Sequence, residues 1–220
     1  MKQIHITRDA NGIVHFETVS IDNTENVFFT NMDTQQPHKP SILKLTGTQQ
    51  LGPYPSPNSS QVPVPVPQVT NPNPPPATKP QSPPYQVDYT CQVAGHETEK
   101  GTILVFAPLA AAAKTTLAAT IGTPFEAPLV VGGKPPYVIT GLIVNNKSVP
   151  GTSTGPSQPL PIGGDFRLFQ NSQGISVTGS ASKVETYNFT FTVNDSMGRN
   201  LQQVQYTLAG ITGPATPSAP

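Results

Sequence analysis

The chain has no tryptophan, a single cysteine and few charges: 11 % of its 220 residues are Asp, Glu, Lys or Arg, and the formal net charge is zero. One cysteine excludes an intrachain disulfide, and an isolated thiol is unusual in an oxidising compartment unless something occupies it. The weak, balanced charge argues against a broad basic face for nucleic acid or anionic lipid. No run of 18 or more apolar residues occurs, so no membrane-spanning helix is expected. The opening MKQIHITRD has no apolar h-region and does not read as a secretory signal. That leaves a cytosolic protein and a mature form with an added Met both open. Among motifs, no Ser-His-Asp set, phosphate loop or HExxH is present, and no second set of metal ligands is seen, so an enzyme is not expected.

What is present is proline, 27 residues of it, and short runs of Thr, Val, Ile, Phe and Tyr broken by Gly, Pro and Asn. This composition predicts an all-β protein with long loops. KQIHIT, IVHFETVSI, NVFFTNMD and SILKL read as strands, with Asp9-Ala10-Asn11-Gly12 as a hairpin turn between the first two. IVHFETVSI alternates, with Ile13, His15 and Glu17 on one face and Val14, Phe16 and Thr18 on the other.

Residues 52–84 are a proline-rich insert, read as a tether or extended surface loop, although VPVPVPQV could lie along a sheet edge. YQVDYTCQV and GTILVFAPL resume strand structure. AAAAKTTLAA has helical propensity and reads as a linker helix or as the first strand of the region after it. From residue 120 onward TPFEAPLVV, PYVITGLIV, FRLFQ, GISVTGS, TYNFTFTVND and LQQVQYTLAGI form a second set of short, regularly spaced strands, as in a sandwich. TGPATPSAP reads as a flexible tail.

The cysteine stands in YTCQVAGHETEKGTILV, with His96 five residues after Cys91, and His38 follows the aromatic strand in VFFTNMDTQQPHKP. Two imidazoles and one thiolate make a trigonal set that suits copper with a weak axial group, and zinc would accept the same ligands. A buried apolar Cys and hydrogen-bonded histidines are the plainer reading of the same residues. His5 and His15 match no motif and read as structural or exposed.

The two segments together resemble the cupredoxins, the small blue copper proteins, over residues 1–107. Tyr-x-Cys, Gly-His and Lys-Gly-x-Ile-x-Val match that family's C-terminal ligand loop, and Val-x-Phe-x-Asn-x-Asp followed by His matches its upstream segment. The resemblance implies a Greek-key β-sandwich in which His38, Cys91 and His96 hold one mononuclear copper ion that shuttles single electrons. It also implies that the imidazole of the C-terminal loop lies near the surface. The chain departs from the pattern where the family supplies an axial Met: here stand Glu97, Thr98, Glu99 and Lys100. Glu99 is the nearest axial candidate, a harder ligand that would favour Cu(II); a backbone oxygen such as that of Pro37, or no axial group, is the alternative. Lys39 stands where relatives often carry an Asn supporting the thiolate.

GTPFEAPLVVGGKPPYVITG, GISVTGSAS and TYNFTFTVNDSMGRN resemble bacterial Ig-like, cadherin-like domains over residues 119–210, modules common in extracellular proteins. Asn194-Asp195 reads as a turn, since a calcium site needs six or more oxygens. The expected division is therefore a cupredoxin-like domain at 1–109, a linker at 110–118, an Ig-like domain at 119–211 and a tail at 212–220. The expected function is single-electron transfer or copper carriage in the periplasm or at the cell surface, with a redox partner protein. The alternative is a structural or adhesive subunit contacting neighbouring subunits, homo-oligomers included.

Overall fold

The computed structural model describes residues 2–42, 59–63, 68–70, 78–80, 83–96, 98–155 and 158–212. These are all-β; no helix occurs among them. Leu43–Leu45 of the expected SILKL strand, much of the proline-rich insert and the tail beyond Thr212 lie outside the described residues. The chain divides into two compact units, Met1–Ala107 and Pro108–Pro220.

The first unit is a sandwich of two four-stranded sheets. One has the order β2 (Val14–Phe16), β1 (Lys2–Arg8), β4 (Asn26–Asn31), β6 (Ser59–Pro63). The other has the order β3 (Val19–Asp22), β10 (Lys100–Phe106), β9 (Tyr85–Cys91), β5 (Pro40–Ile42). Alternation decides what faces inward: β9 buries Tyr85, Val87, Tyr89 and Cys91 and leaves Gln86 and Asp88 outside. Ile4, Ile6, Val27 and Phe29 of the first sheet meet Ile21, Val87, Tyr89 and Ile103 of the second, all completely buried. Each such side chain contributes about 1.5–3 kcal/mol by leaving water.

Two expectations need correction here. The alternating run from Ile13 to Ile21 is not one strand: Val14–Phe16 pairs with β1 and Val19–Asp22 pairs with β10, in the opposite sheet. Both halves present apolar residues to the same core from opposite sides, but the inward set shifts from even positions (Val14, Phe16) to odd ones (Val19, Ile21), so the period of two breaks at the crossover. Part of the proline-rich insert is strand rather than loop, and Val62-Pro63 lies along a sheet edge, as VPVPVPQV allowed. Ser59–Pro63 pairs antiparallel with β4 at the sheet edge, where Pro63 ends the pairing opposite Asn26, and β7 (Gln68–Thr70) pairs with β8 (Thr78–Pro80).

The second unit is a sandwich of two five-stranded sheets. One runs β11 (Ala110–Ala111), β13 (Pro124–Val131), β18 (Gly174–Ser180), β17 (Phe166–Asn171), β16 (Leu160–Gly163). The other runs β12 (Thr116–Thr120), β20 (Asn200–Ile211), β19 (Thr186–Asn194), β14 (Val138–Val144), β15 (Lys147–Ser148). Its core includes a stack of Phe189, Phe191 and Tyr206.

Residues 110–118 contain strand and no helix, the second of the two alternatives the sequence offered. Ala110–Ala111 pairs with β13, and β12 lies parallel to β20 with Leu117 and Ala119 buried. Pairing and burial of alternate residues override the helical preference of alanine. Asn194 ends β19 and Asp195 opens the turn that follows: the Asp195 carboxylate accepts from the backbone N–H groups of Lys134, Met197 and Arg199 and from the Arg199 guanidinium.

Candidate metal centre

β9 ends at Cys91, and the loop to β10 is tied shut at its base, where the Cys91 N–H donates to the Glu99 carbonyl at 3.0 Å. Within the loop, His96 N–H donates to Val93 O and Glu99 N–H to His96 O, each at 3.0 Å, and Gly95 supplies the left-handed backbone (φ 85°) that the turn requires. The loop thereby faces His96 and Glu99 toward the cysteine. The third segment arrives through β5, whose Pro40 pairs with Cys91; Gln92 N–H donates to Lys39 O at 2.9 Å. This pairing lays His38, more than 50 residues upstream, against the sulfur.

All four residues singled out in the sequence converge. One donor atom from each of His38, Cys91, His96 and Glu99 lies within 4.8 Å of every other. Cys91 Sγ is 3.7 Å from His38 Nδ1 and 3.8 Å from His96 Nδ1. Glu99 Oε2 is 3.2 Å from both of those nitrogens. A tetrahedral ion with bonds of about 2.0 Å to nitrogen and 2.3 Å to sulfur has ligand–ligand edges of about 3.3 and 3.6 Å. The four measured edges, 3.2 to 3.8 Å, are close to those of such a coordination sphere. Glu99 Oε2 is buried and makes no hydrogen bond. A buried carboxylate oxygen 3.2 Å from two inward imidazole nitrogens, with a sulfur beside them, is a set of donors that a cation would satisfy.

Burial grades the donors. The His38 side chain is fully buried, whereas that of His96 is 13 % exposed and that of Glu99 16 %. His38 is wedged edge-on against Phe16, with its Nε2 held by Asp33 Oδ2 at 2.9 Å. An ionised carboxylate only accepts, so Nε2 carries the hydrogen and Nδ1 presents its lone pair to the other donors. Burial opposes ionisation of Asp33, but hydrogen bonds from Arg8, His38 and the Gln35 N–H outweigh it and hold the carboxyl well below the usual range. Asn31 shapes this loop by accepting from Asp33 N–H (2.9 Å) and donating to Gln36 O (3.0 Å).

Burial pushes the Cys91 thiol up, and the Glu99 charge adds to it; backbone N–H bonds from Lys39 and Val93 act in the opposite sense. A cation at the centre would reverse this balance and draw out the thiolate. The Lys39 N–H lies 3.5 Å from Sγ, so position 39 supports the sulfur through its main chain, whatever its side chain. Sequence reasoning assigned no role to Asp33 or Arg8; the Asn-x-Asp of the NMD stretch was the available signal. His5 and His15 stand apart from the centre, half-exposed and paired with Glu17 and Asp9.

No protein-family model matches this chain, and no curated protein does. Among solved structures, Bacteroides ovatus mixed-linkage glucan utilization locus SGBP-B, in complex with a mixed-linkage heptasaccharide, aligns with 91 % of this chain at 8 % identity and a TM-score of 0.18. The chain spans 43 % of that structure's length, and a likeness at this TM-score carries no argument.

Proposed function

We propose that the first unit is a cupredoxin-like copper protein, with His38, Cys91, His96 and Glu99 holding one copper ion for single-electron transfer or copper carriage. The observation that supports it most is the convergence of these four donors around the orphan Glu99 Oε2. The donor set also fits: one soft sulfur and two imidazoles suit copper, and copper outcompetes zinc for such ligands. Copper held by His38, Cys91, His96 and Glu99 would supply a one-electron couple for exchange with partner proteins.

The chain's own residues hold the geometry fixed between the two states. The sandwich anchors Cys91 and the His38 segment through main-chain pairing, Phe16 and Asp33 clamp His38, and two N–H groups hold the sulfur. His96, the more exposed imidazole, is the route by which an electron reaches a docked partner. On this reading the second unit is an Ig-like spacer and the protein works outside the cytoplasm, in the periplasm or at the cell surface.

The test is titration of the purified chain with Cu(II), followed by visible absorption. We expect one ion per chain and an intense sulfur-to-copper band that Cys91→Ser abolishes while the fold persists. Failure to bind copper tightly, or a band that survives Cys91→Ser, overturns the reading and leaves the sandwich as a scaffold for contacts with neighbouring subunits.

A further inference from the structure

Two carboxylates are buried among the described residues, and they are used differently. Asp195 is consumed by its own turn. Asp33 instead stands between a cation and the candidate centre. On one side it meets Arg8, whose Nε lies 3.1 Å from both carboxylate oxygens and whose Nη2 lies 2.8 Å from Oδ2. On the other it accepts the Nε2–H of His38 at 2.9 Å. The same oxygen, Oδ2, serves both. Arg8 is in turn fixed by Gly12 O at 2.6 Å and Gln36 Oε1 at 2.7 Å. A line of three charged or polarisable groups therefore runs from the partly exposed Arg8 through the fully buried Asp33 to a fully buried imidazole.

A carboxylate that accepts the hydrogen of a ligating imidazole fixes its orientation and raises its basicity at the other nitrogen. A guanidinium on the same carboxylate oxygen withdraws part of that charge. We propose that the Arg8–Asp33 pair sets the donor strength of His38 toward the metal, Asp33 raising it and Arg8 tempering it. Asp33 and Arg8 are positioning residues here; neither touches the metal. Stronger donation favours the higher oxidation state, so Asp33 lowers the midpoint potential of the site and Arg8 raises it. The proposal rests on the copper reading above.

The pair makes opposite predictions for its two members, which a merely structural role would not. In the copper-loaded full chain, Asp33→Asn keeps an acceptor for Nε2–H but removes the charge. It should weaken Cu(II) roughly 10- to 100-fold with a smaller effect on Cu(I), and the potential should rise by about 59 mV per tenfold difference between the two. Arg8→Gln leaves the carboxylate untempered, and the potential should fall. Shifts of the same sign in both variants, or none, overturn the proposal while the copper reading stands. A wild-type chain that takes up no copper overturns both. If Asp33→Asn does not fold, Arg8→Gln decides alone: a fall supports the proposal, and a rise or no change overturns it.

Discussion

Glu99 carries the sharpest consequence at a single position, because its Oε2 is a liability without a cation and an asset with one. A buried polar atom left unbonded costs about 1–3 kcal/mol. Glu99→Met should therefore make the metal-free protein more stable by about that much, read from urea unfolding. In the copper form the same change replaces a hard oxygen by a thioether, so the potential should rise and the visible band should move. A copper spectrum indifferent to Glu99→Met would show that the carboxylate is not a ligand. Cys91, His96 and His38 were legible in the sequence because each stands in a short local pattern. Glu99 was legible only by its offset from Gly101, with a backbone oxygen as a rival. Asp33 stands in the same pattern as His38, but its significance depends on Arg8, 25 residues upstream, and on a sheet pairing that brings the two together.

At the scale of elements, β9 and β10 hold the ligand loop, and Tyr89 pairs with Gly101 two residues from Cys91. The Tyr89 ring lies over Gly101 where a side chain would go, and its hydroxyl donates to the Glu17 carbonyl, at the crossover between β2 and β3. One tyrosine thus joins the strand that ends in Cys91 to the chain's passage between the sheets. Gly101→Ala should force the ring aside and cost about 1–3 kcal/mol, measured as a lower urea midpoint. An unchanged midpoint would mean that the ring moves freely. The crossover left a trace in the sequence: the apolar positions shift from even (Val14, Phe16) to odd (Val19, Ile21), which one regular strand cannot place on a single face, although Val14–Phe16 and Val19–Asp22 read together as one alternating run. Thr116–Thr120 was ambiguous for another reason, reading as a linker helix or as a first strand. Its alanines favour helix locally, and only the partner β20, some ninety residues later, makes them a strand. The later strands were easier, since GISVTGS and TYNFTFTVND carry both the alternation and the turn residues that bound it.

Among the described residues two cores share no residue, one within Met1–Ala107 and one within Pro108–Pro220. Among the described residues the only cluster of metal-ligating side chains belongs to the first. Metal binding adds stability only to the fold that forms the site, by RT ln(1 + [L]/Kd), about 2.7 kcal/mol at a hundredfold excess over Kd. For a unit of this size 1 kcal/mol moves the melting temperature by roughly 4–8 °C, so copper should raise the transition of the first unit by about 10 °C or more. The transition of the second unit should stay where it is. Calorimetry of the full chain with and without copper reads both at once, and Cys91→Ser, which lacks the sulfur, should show two transitions that copper leaves in place. A single transition that copper moves as a whole would mean that the units unfold together. The second unit would then be energetically part of the metal centre's support rather than a spacer beside it.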